Sequence, residues 1–259
     1  MSDAEDTQVT VMAGCDPLSH NGSRAAGVLV LHGFTGNPSS MRLQAEAFAA
    51  RGYHVEMPRL PGHGTSLDDM LTTSWADWTG EVEAAYRRLS ARTESIVVMG
   101  LSMGGSLTLW TGLQHPEVKG LVCVNPATQP PPDAVVEMLI EMYDEGRTVM
   151  PGIGSDIADP DVEEIAYEGT PIQPLLSLHQ DGLAPMADRY GELTMPMLVF
   201  VSHNDHVVEP ASTEHLAANA GGDCELVWLD RSFHVATQDF DRDLITSRSV
   251  DFIAQVTGA

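Results

Sequence analysis

Short runs of consecutive apolar residues alternate along this chain with stretches in which apolar residues recur every three or four positions. Glycine, proline or polar residues bound each run, which favours buried strands over helices. Strands are predicted in this way at residues 27–31, 54–58, 95–99, 120–126, 197–201 and 225–229. Near-continuous apolar strands that alternate with helices are typical of a parallel sheet covered on both faces.

The stretches between these runs predict helices at residues 41–51, 75–91, 211–220 and 242–256, and another directly after Ser102. In the second of them, Trp78, Val82, Ala85 and Leu89 recur at spacings of three and four, so they share one helix face. A further short strand is predicted at Val9–Met12.

The alternation stops after Pro126. The consecutive prolines at positions 130–132 cannot continue a sheet, and residues 127–190 mix short helical patterns with turns and many acidic residues. The strongest helical pattern there is Val135–Met142. We therefore predict that residues 1–126 and 191–259 form one α/β core and that residues 127–190 are an insertion over the sheet.

The charge balance is strongly acidic, with 37 acidic against 13 basic side chains and a formal net charge of −24. Such a surface repels phosphate backbones and anionic lipid headgroups, which disfavours nucleic acid as a partner. General solubility and adaptation to salt would both produce this bias. The length of 259 residues suits one α/β domain with a modest insertion.

Cysteine and histidine spacing gives no sign of a metal site. Cys15, Cys123 and Cys224 are widely spaced, and no two histidines have ligand spacing on one helix face, so we expect neither a metal nor a cofactor. Residues 1–6 lack the basic and apolar regions of a signal peptide, and no run approaches the length of a membrane span. We expect a cytoplasmic protein without an integral membrane segment; its oligomeric state is left open.

The candidate chemistry begins at Gly100–Gly105, between a predicted strand and a predicted helix. Gly100, Ser102 and Gly104 match the pattern G-x-S-x-G, in which a sharp turn lifts the serine hydroxyl clear of the backbone. A serine hydroxyl is a weak nucleophile and needs a base to take its proton. Ser102 is therefore the candidate nucleophile, provided that an acid and a histidine follow it in the chain.

Both groups follow Ser102, each after a predicted strand. Asp205 follows the strand at 197–201 and His234 follows the strand at 225–229, and the order Ser, acid, His is the one expected after such an elbow. Since parallel strands bring their carboxyl ends to one sheet edge, these residues should meet there. Asp181, Asp188 and Asp230 are rival acids; the first two have no strand beneath them, and the third is only four residues from His234.

Two backbone amides are candidates for stabilising the oxyanion that forms when a serine attacks an ester. Met103 follows the nucleophile at the amino end of a helix, where the dipole also favours an anion. Phe34 lies in the glycine-rich loop His32–Gly36, although a plain core role would also explain it. We expect His32 to hydrogen-bond the backbone of this loop and to fix its turn.

Five segments resemble the α/β-hydrolase family, and more narrowly the small bacterial carboxylesterases and monoacylglycerol lipases. The segments are Leu31–Asn37, Pro61–Gly64, Gly100–Gly105, His203–Asp205 and Phe233–Val235, and the resemblance extends over nearly the whole chain from about Gly27. It implies an α/β-hydrolase fold with a small cap at residues 127–190. It also implies Ser102 as nucleophile, Asp205 as acid, His234 as base, and the amides of Phe34 and Met103 as the oxyanion hole.

The function implied is a serine hydrolase that cleaves carboxylic esters with short or medium acyl groups, monoacylglycerols included, through an acyl-enzyme on Ser102. Thioester hydrolysis, C–C bond hydrolysis or acyl transfer on the same fold remains open, as does a ligand receptor without catalysis. Serine at position 102 argues against the members of this fold that use aspartate at the elbow. Met138, Met142, Met150 and Met186 suit either an adaptable pocket lining or ordinary packing.

Overall fold

Seven strands form the central sheet in a computed structural model that describes residues 10–152 and 154–258. The strands of the chain are β1 (Leu18–His20), β2 (Ala26–Leu31), β3 (His54–Met57), β4 (Ser95–Leu101), β5 (Gly120–Val124), β6 (Val149–Pro151), β7 (Gly169–Pro171), β8 (Met197–Ser202) and β9 (Cys224–Leu229). The α-helices are α1 (Arg42–Ala50), α2 (Leu67–Met70), α3 (Trp75–Ser90), α4 (Met103–Gln114), α5 (Asp133–Asp144), α6 (Ile172–Ser177), α7 (Ala184–Met186), α8 (Pro210–Asn219) and α9 (Arg242–Thr257). A π-helix spans Leu178–Leu183, and 3₁₀ turns span Pro38–Met41 and Tyr190–Glu192.

The central sheet has the order β1-β3-β2-β4-β5-β8-β9, and six of its strands run parallel: β2, β3, β4, β5, β8 and β9. Only β1 of these strands is antiparallel, with Leu18 opposite Met57. The mostly parallel sheet confirms the α/β prediction, and each of the predicted strands from residue 27 onward is present within a few residues of its expected bounds.

The strand predicted at Val9–Met12 is wrong where it can be checked. Residues 10–12 adopt no strand, and Val9 lies outside the described residues. Met12 instead donates its backbone N–H to the carbonyl of Gly64, so this segment lies against a loop and not against the sheet edge. The edge is supplied by Leu18–His20, a stretch too short and too polar to show a strand pattern.

The core lies in two layers, one on each face of the sheet. Leu29 and Leu31 of β2 pack into the layer that holds residues of α3, α4 and α8, whereas Val28 and Val30 pack into the layer that holds residues of α1 and α9. Successive side chains of a strand point to opposite faces, so a strand buried on both faces must be apolar throughout. This is why β2, β4, β5 and β8 are nearly continuous apolar runs in the sequence, whereas β3 and β9, nearer the sheet edges, contain Glu56 and Glu225.

The segment between β5 and β8 contains α5, the two-stranded antiparallel sheet of β6 and β7, α6, the π-helix and α7. Leu139 of α5 packs on Ile172 and Leu176 of α6 in a small cluster of its own. The helix predicted at Val135–Met142 is confirmed and extends to Asp133–Asp144. The two-stranded sheet and the π-helix had no sequence signal, because each is too short to establish a period. No helix among the described residues has the length and apolar character needed to cross a bilayer.

Candidate active site

Ser102 occupies the sharp turn between β4 and α4. Its backbone has φ of 56° and ψ of −119°, a combination that a non-glycine residue adopts only under strain. The glycines on either side are required by close approach. A Cβ on Gly100 would lie 2.0 Å from the carbonyl oxygen of Gly104, and a Cβ on Gly104 would lie 2.2 Å from that of Leu31. The two glycines of the G-x-S-x-G pattern are thus required because this turn leaves no room for a side chain at either position.

Replacing Gly104 by Ala is expected to lower the free energy of unfolding by at least about 1–3 kcal/mol, since an added methyl group must displace the backbone of β2. The measurement is urea denaturation followed by circular dichroism. Gly80→Ala is the matched control, because Gly80 lies inside α3 with no atom within 4 Å of its added Cβ. That variant should gain about 0.5–1 kcal/mol. An unchanged urea midpoint for Gly104→Ala would contradict the packing argument.

The carboxylate of Asp205 lies against the ring of His234. His234 Nδ1 donates to Asp205 Oδ2 over 2.8 Å, and the two side chains are 8% and 2% exposed. Asp205 Oδ1 accepts the backbone N–H groups of Val207 and Val208, at 2.8 Å each. Because a carboxylate can only accept, Nδ1 carries the proton and Nε2 is the basic nitrogen of the neutral ring.

The rival acids lie elsewhere. The Asp230 side chain is 86% exposed and faces His203 at 3.5 Å. Asp181 accepts a hydrogen bond from the hydroxyl of Ser177. Of the acids weighed from the sequence, Asp205 is the one that the structure brings to His234.

Phe34 and Met103 both lie beside Ser102. Met103 is the first residue of α4, and a Cβ on Gly33 would lie 3.3 Å from the Cβ of Ser102, so the loop that carries Phe34 packs on the serine. Among the described residues, neither the Phe34 nor the Met103 backbone N–H has a protein acceptor. The Phe34 ring packs edge-on against Trp78, with the ring centroids 5.7 Å apart.

Two buried histidines, His32 and His63, pack against each other next to the loop that carries Phe34. His32 Nδ1 donates to the carbonyl of Gly33 over 3.0 Å, and the N–H of Leu60 donates to His32 Nε2 over 3.1 Å, which confirms the expected backbone role. His63 packs on His32 with the ring centroids 5.0 Å apart. Burial lowers the pKa of His32 well below its ordinary value and that of His63 to about 4. Both rings are therefore neutral at pH 7 and act as fixed hydrogen-bonding groups.

A cavity of about 330 Å³ opens over the serine. Ser102, His234, Phe34 and Met103 all line it, and its other walls are mainly apolar. Those walls include Leu101, Ala127, Pro131, Leu175, Leu178, Val207, Val208 and Val235. Of the four methionines considered as lining, none is among the described lining residues; Met186 is core, and Met142 and Met150 pack near Leu139. Ordinary packing therefore accounts for these three methionines, whereas Met138 is 47% exposed.

Three polar residues of the cavity could not be identified from the sequence: Asp156, Glu164 and His179. Burial raises the pKa of the Glu164 carboxyl to about 7, with the charge of Asp156 adding to the rise and that of His234 opposing it. Burial lowers the pKa of His179 to about 4, so this imidazole is neutral at pH 7. The two acids stood in an acidic stretch without a spacing pattern, and the histidine was one of ten.

The buried Asn125 was also missed. It has a positive φ of 43° at the end of β5, and its side-chain amide donates to Ser202 Oγ and to the carbonyl of His234, at 2.9 and 2.8 Å. Its Oδ1 accepts the N–H of Ser202 over 2.8 Å. Asn125 therefore fastens the loop of His234 to β5 and β8.

The chain is similar to known proteins over most of its length. The family Hydrolase_4, described as serine aminopeptidase, S33, matches residues 22–154. A thermostable monoacylglycerol lipase of Bacillus sp. (strain H-257) is 42% identical over 253 residues, which are 97% of this chain and 99% of that protein. A carboxylesterase of Bacillus subtilis (strain 168) is 28% identical over 242 residues, 93% of this chain and 96% of that protein.

A solved structure is similar over the same length. It comes from work on LipS and LipT, two metagenome-derived lipolytic enzymes, and it is 42% identical with a TM-score of 0.88. The match covers 95% of this chain and all of the other. The chain therefore belongs to the Hydrolase_4 family and has the α/β-hydrolase fold.

Proposed function

We propose that this protein is a serine hydrolase that cleaves carboxylic esters, monoacylglycerols among them. The observation that carries the proposal is the convergence of Ser102 and His234 on one cavity, with the ring of His234 held by the buried carboxylate of Asp205 at 2.8 Å. The relative at 42% identity is named a monoacylglycerol lipase, which supports the same reaction class.

The proposed mechanism uses an acyl-enzyme. His234 Nε2 takes the proton of Ser102 as the serine oxygen attacks the ester carbonyl, and the N–H groups of Phe34 and Met103 bind the resulting oxyanion. Asp205 stabilises the imidazolium. Collapse of the tetrahedral intermediate breaks the bond to the alcohol, which leaves with the proton of His234. A water molecule, deprotonated by His234, then attacks the acyl-enzyme and releases the acid and the serine.

We also propose that residues 127–190 act as a cap on a core made of residues 1–126 and 191–259. Leu175, Leu178, His179 and Glu164 of this segment supply walls of the cavity opposite the carboxyl ends of the strands. The cap would thus decide which esters fit, while the core supplies the reacting groups.

Glu164, on the cavity wall, is suited to bind an ester whose alcohol part carries free hydroxyl groups. Glycerol esters carry hydroxyl donors, and an ionised carboxylate on the cavity wall is a strong acceptor for them. The carboxyl titrates at about pH 7, so it is mostly uncharged below that pH and mostly ionised above it. Recognition of a hydroxylated alcohol should therefore improve as the pH rises through 7.

Glu164→Gln is expected to raise KM for a monoacylglycerol about tenfold at pH 8, as for loss of one hydrogen bond to a charged group. KM for p-nitrophenyl butyrate should be unchanged, because that ester has no free hydroxyl. In the parent protein KM for the monoacylglycerol should fall between pH 6 and 8, and in the variant it should stay level. Equal changes for both substrates, or an unaltered pH dependence, would contradict this role.

A substrate panel tests the function itself. The cavity of about 330 Å³ is at the small end of ligand pockets, so p-nitrophenyl esters of short or medium acyl chains should have the highest kcat/KM. A monoacylglycerol should be cleaved in the same assay, and an acyl-CoA should be a poor substrate. Preference for the acyl-CoA would instead favour thioester hydrolysis. Ligand binding without turnover of any ester would favour a receptor.

We infer a cytoplasmic location and no nucleic-acid partner. Cys15, Cys123 and Cys224 are all free thiols in the structure, which suits a reducing compartment. The net charge of −24 disfavours contact with phosphate backbones.

A further inference from the structure

The carboxylate of Asp156, which the proposed mechanism does not use, joins three separate parts of the chain. Its Oδ2 accepts the backbone N–H of His234 over 3.0 Å and that of His206 over 3.2 Å. Its Oδ1 accepts from the ring Nδ1 of His206 over 2.7 Å. The backbone carbonyl of Asp156 also accepts the N–H of Val235 over 3.0 Å. Only 13% of its side chain is exposed.

These contacts meet on both sides of the pair formed by Asp205 and His234. His206 is the residue after Asp205, so both carboxylate oxygens of Asp156 bond to the loop of the acid, and Oδ2 also bonds to the loop of the base. The Nδ1–Oδ2 bond of 2.8 Å exists only while these two loops keep their separation. Asp156 therefore bridges the two loops whose separation sets the hydrogen bond between Asp205 and the ring of His234.

The other supports do not duplicate this link. Asn125 holds the carbonyls of Phe233 and His234 to the sheet, and Asp205 Oδ1 closes its own loop onto Val207 and Val208. Each of these bonds fixes one loop internally or against the strand ends. The side chain of Asp156 bonds directly to both loops, and it comes from the inserted segment.

The part of the inserted segment that carries Asp156 is also held next to the loop of His234 by Asp239. The buried carboxylate of Asp239 accepts the N–H groups of Ala158 and Asp159, at 2.7 and 3.0 Å, and also that of Phe233 over 2.9 Å. Residues 156–159 are thereby fixed to the loop of His234 at a second point. The position of Asp156 relative to both loops is therefore fixed, which a positioning residue requires.

We propose that Asp156 is a positioning residue that sets the geometry of Asp205 and His234. The inference rests on the proposed function. It also gives residues 127–190 a second role besides forming cavity walls, since a side chain of this segment completes the support of the reacting groups. Its loss acts mainly on kcat, because the base is displaced relative to the serine while the apolar walls of the cavity stay in place.

The test compares Asp156→Ala with Asp156→Asn. The Asn side chain keeps one oxygen for the two backbone N–H groups, and the exposed ring of His206 can change tautomer to accept from its amide. We expect Asp156→Ala to lose about 10²-fold in kcat, the order of loss that a displacement of about 1 Å causes. Asp156→Asn should stay within about threefold of the parent. KM should be little changed in both.

The controls separate positioning from other roles. Asp161→Ala removes an exposed acid of the same segment and should leave kcat unchanged. Equal losses in Asp156→Asn and Asp156→Ala would mean that the charge alone matters, and would overturn the proposal. So would a loss confined to KM for long acyl esters, which would assign Asp156 to the cavity wall. Asp156→Ser, whose hydroxyl is too short to reach both loops, replaces the Ala variant if that variant does not fold.

A measurement independent of turnover is the proton resonance of His234 Nδ1. In the parent and in Asp156→Asn it should appear far downfield as the signal of a proton bonded to a carboxylate, and in Asp156→Ala or Asp156→Ser it should broaden or vanish. An undiminished signal in those last two variants would overturn the proposal. This readout holds even if the parent cleaves no ester, so failure of the proposed function and failure of the positioning role are distinguishable.

Discussion

Ser102→Ala is expected to lower kcat for p-nitrophenyl esters by about 10⁴–10⁶-fold, which leaves only the slow reaction supported by binding and by the oxyanion donors. The reason is chemical, since alanine has no atom that can form the ester bond of an acyl-enzyme. The serine side chain is small, and the strained backbone at φ 56° is set by Gly100 and Gly104, so the turn should persist in the variant. Turnover should fall without a change in the thermal unfolding temperature.

Covalent labelling gives a second readout of the same prediction. A fluorophosphonate should modify the parent protein once, at Ser102, and should leave Ser102→Ala unmodified when both are analysed by mass spectrometry. Ser106→Ala is the matched control, because Ser106 lies one turn further along α4 and its hydroxyl hydrogen-bonds the carbonyl of Ala127. That variant should label and turn over normally. Retained turnover in Ser102→Ala, or a label on another residue, would refute the assignment of the nucleophile.

The residues that sequence reasoning identified share one property: each follows a strand of the parallel sheet that is recognisable in the sequence by its apolar residues. Ser102 follows β4, Asp205 follows β8 and His234 follows β9, so the parallel sheet itself predicts that they meet. The same reasoning placed Phe34 in the loop after β2. A local sequence pattern is sufficient to predict these site residues, because residues that follow parallel strands all lie at the same edge of the sheet.

Asp156 and Glu164 could not be identified in that way. Asp156 bonds to His234 across 78 positions of sequence, from the stretch between the three-residue strands β6 and β7, which are too short to show a period. Nothing local separates it from Asp161 or Glu163, which are exposed. Its proposed role depends on how residues 156–159 lie against the loop of His234, and Asp239 holds them by accepting backbone N–H groups that any residue except proline would supply.

Asp205→Asn is expected to lower kcat by about 10⁴-fold while KM changes little. The Asn oxygen can still accept from Val207 and Val208, so the loop should keep its conformation. The amide nitrogen then faces His234 Nδ1 and donates to it, which forces the ring proton onto Nε2. A ring with its proton on Nε2 cannot accept the proton of Ser102, so the base is present but in the wrong tautomer.

Asp230→Asn is the control that decides between Asp205 and Asp230, the two candidate acids that follow a strand. Its side chain is 86% exposed and 3.5 Å from His203, so the substitution should change kcat by less than twofold. Rates measured on the same p-nitrophenyl ester, with fluorophosphonate labelling of Ser102 followed in parallel, should show slow labelling only in Asp205→Asn. A loss in Asp230→Asn equal to that in Asp205→Asn would reject Asp205 as the acid. It would also mean that the contact of 2.8 Å between His234 and Asp205 serves folding and not proton transfer.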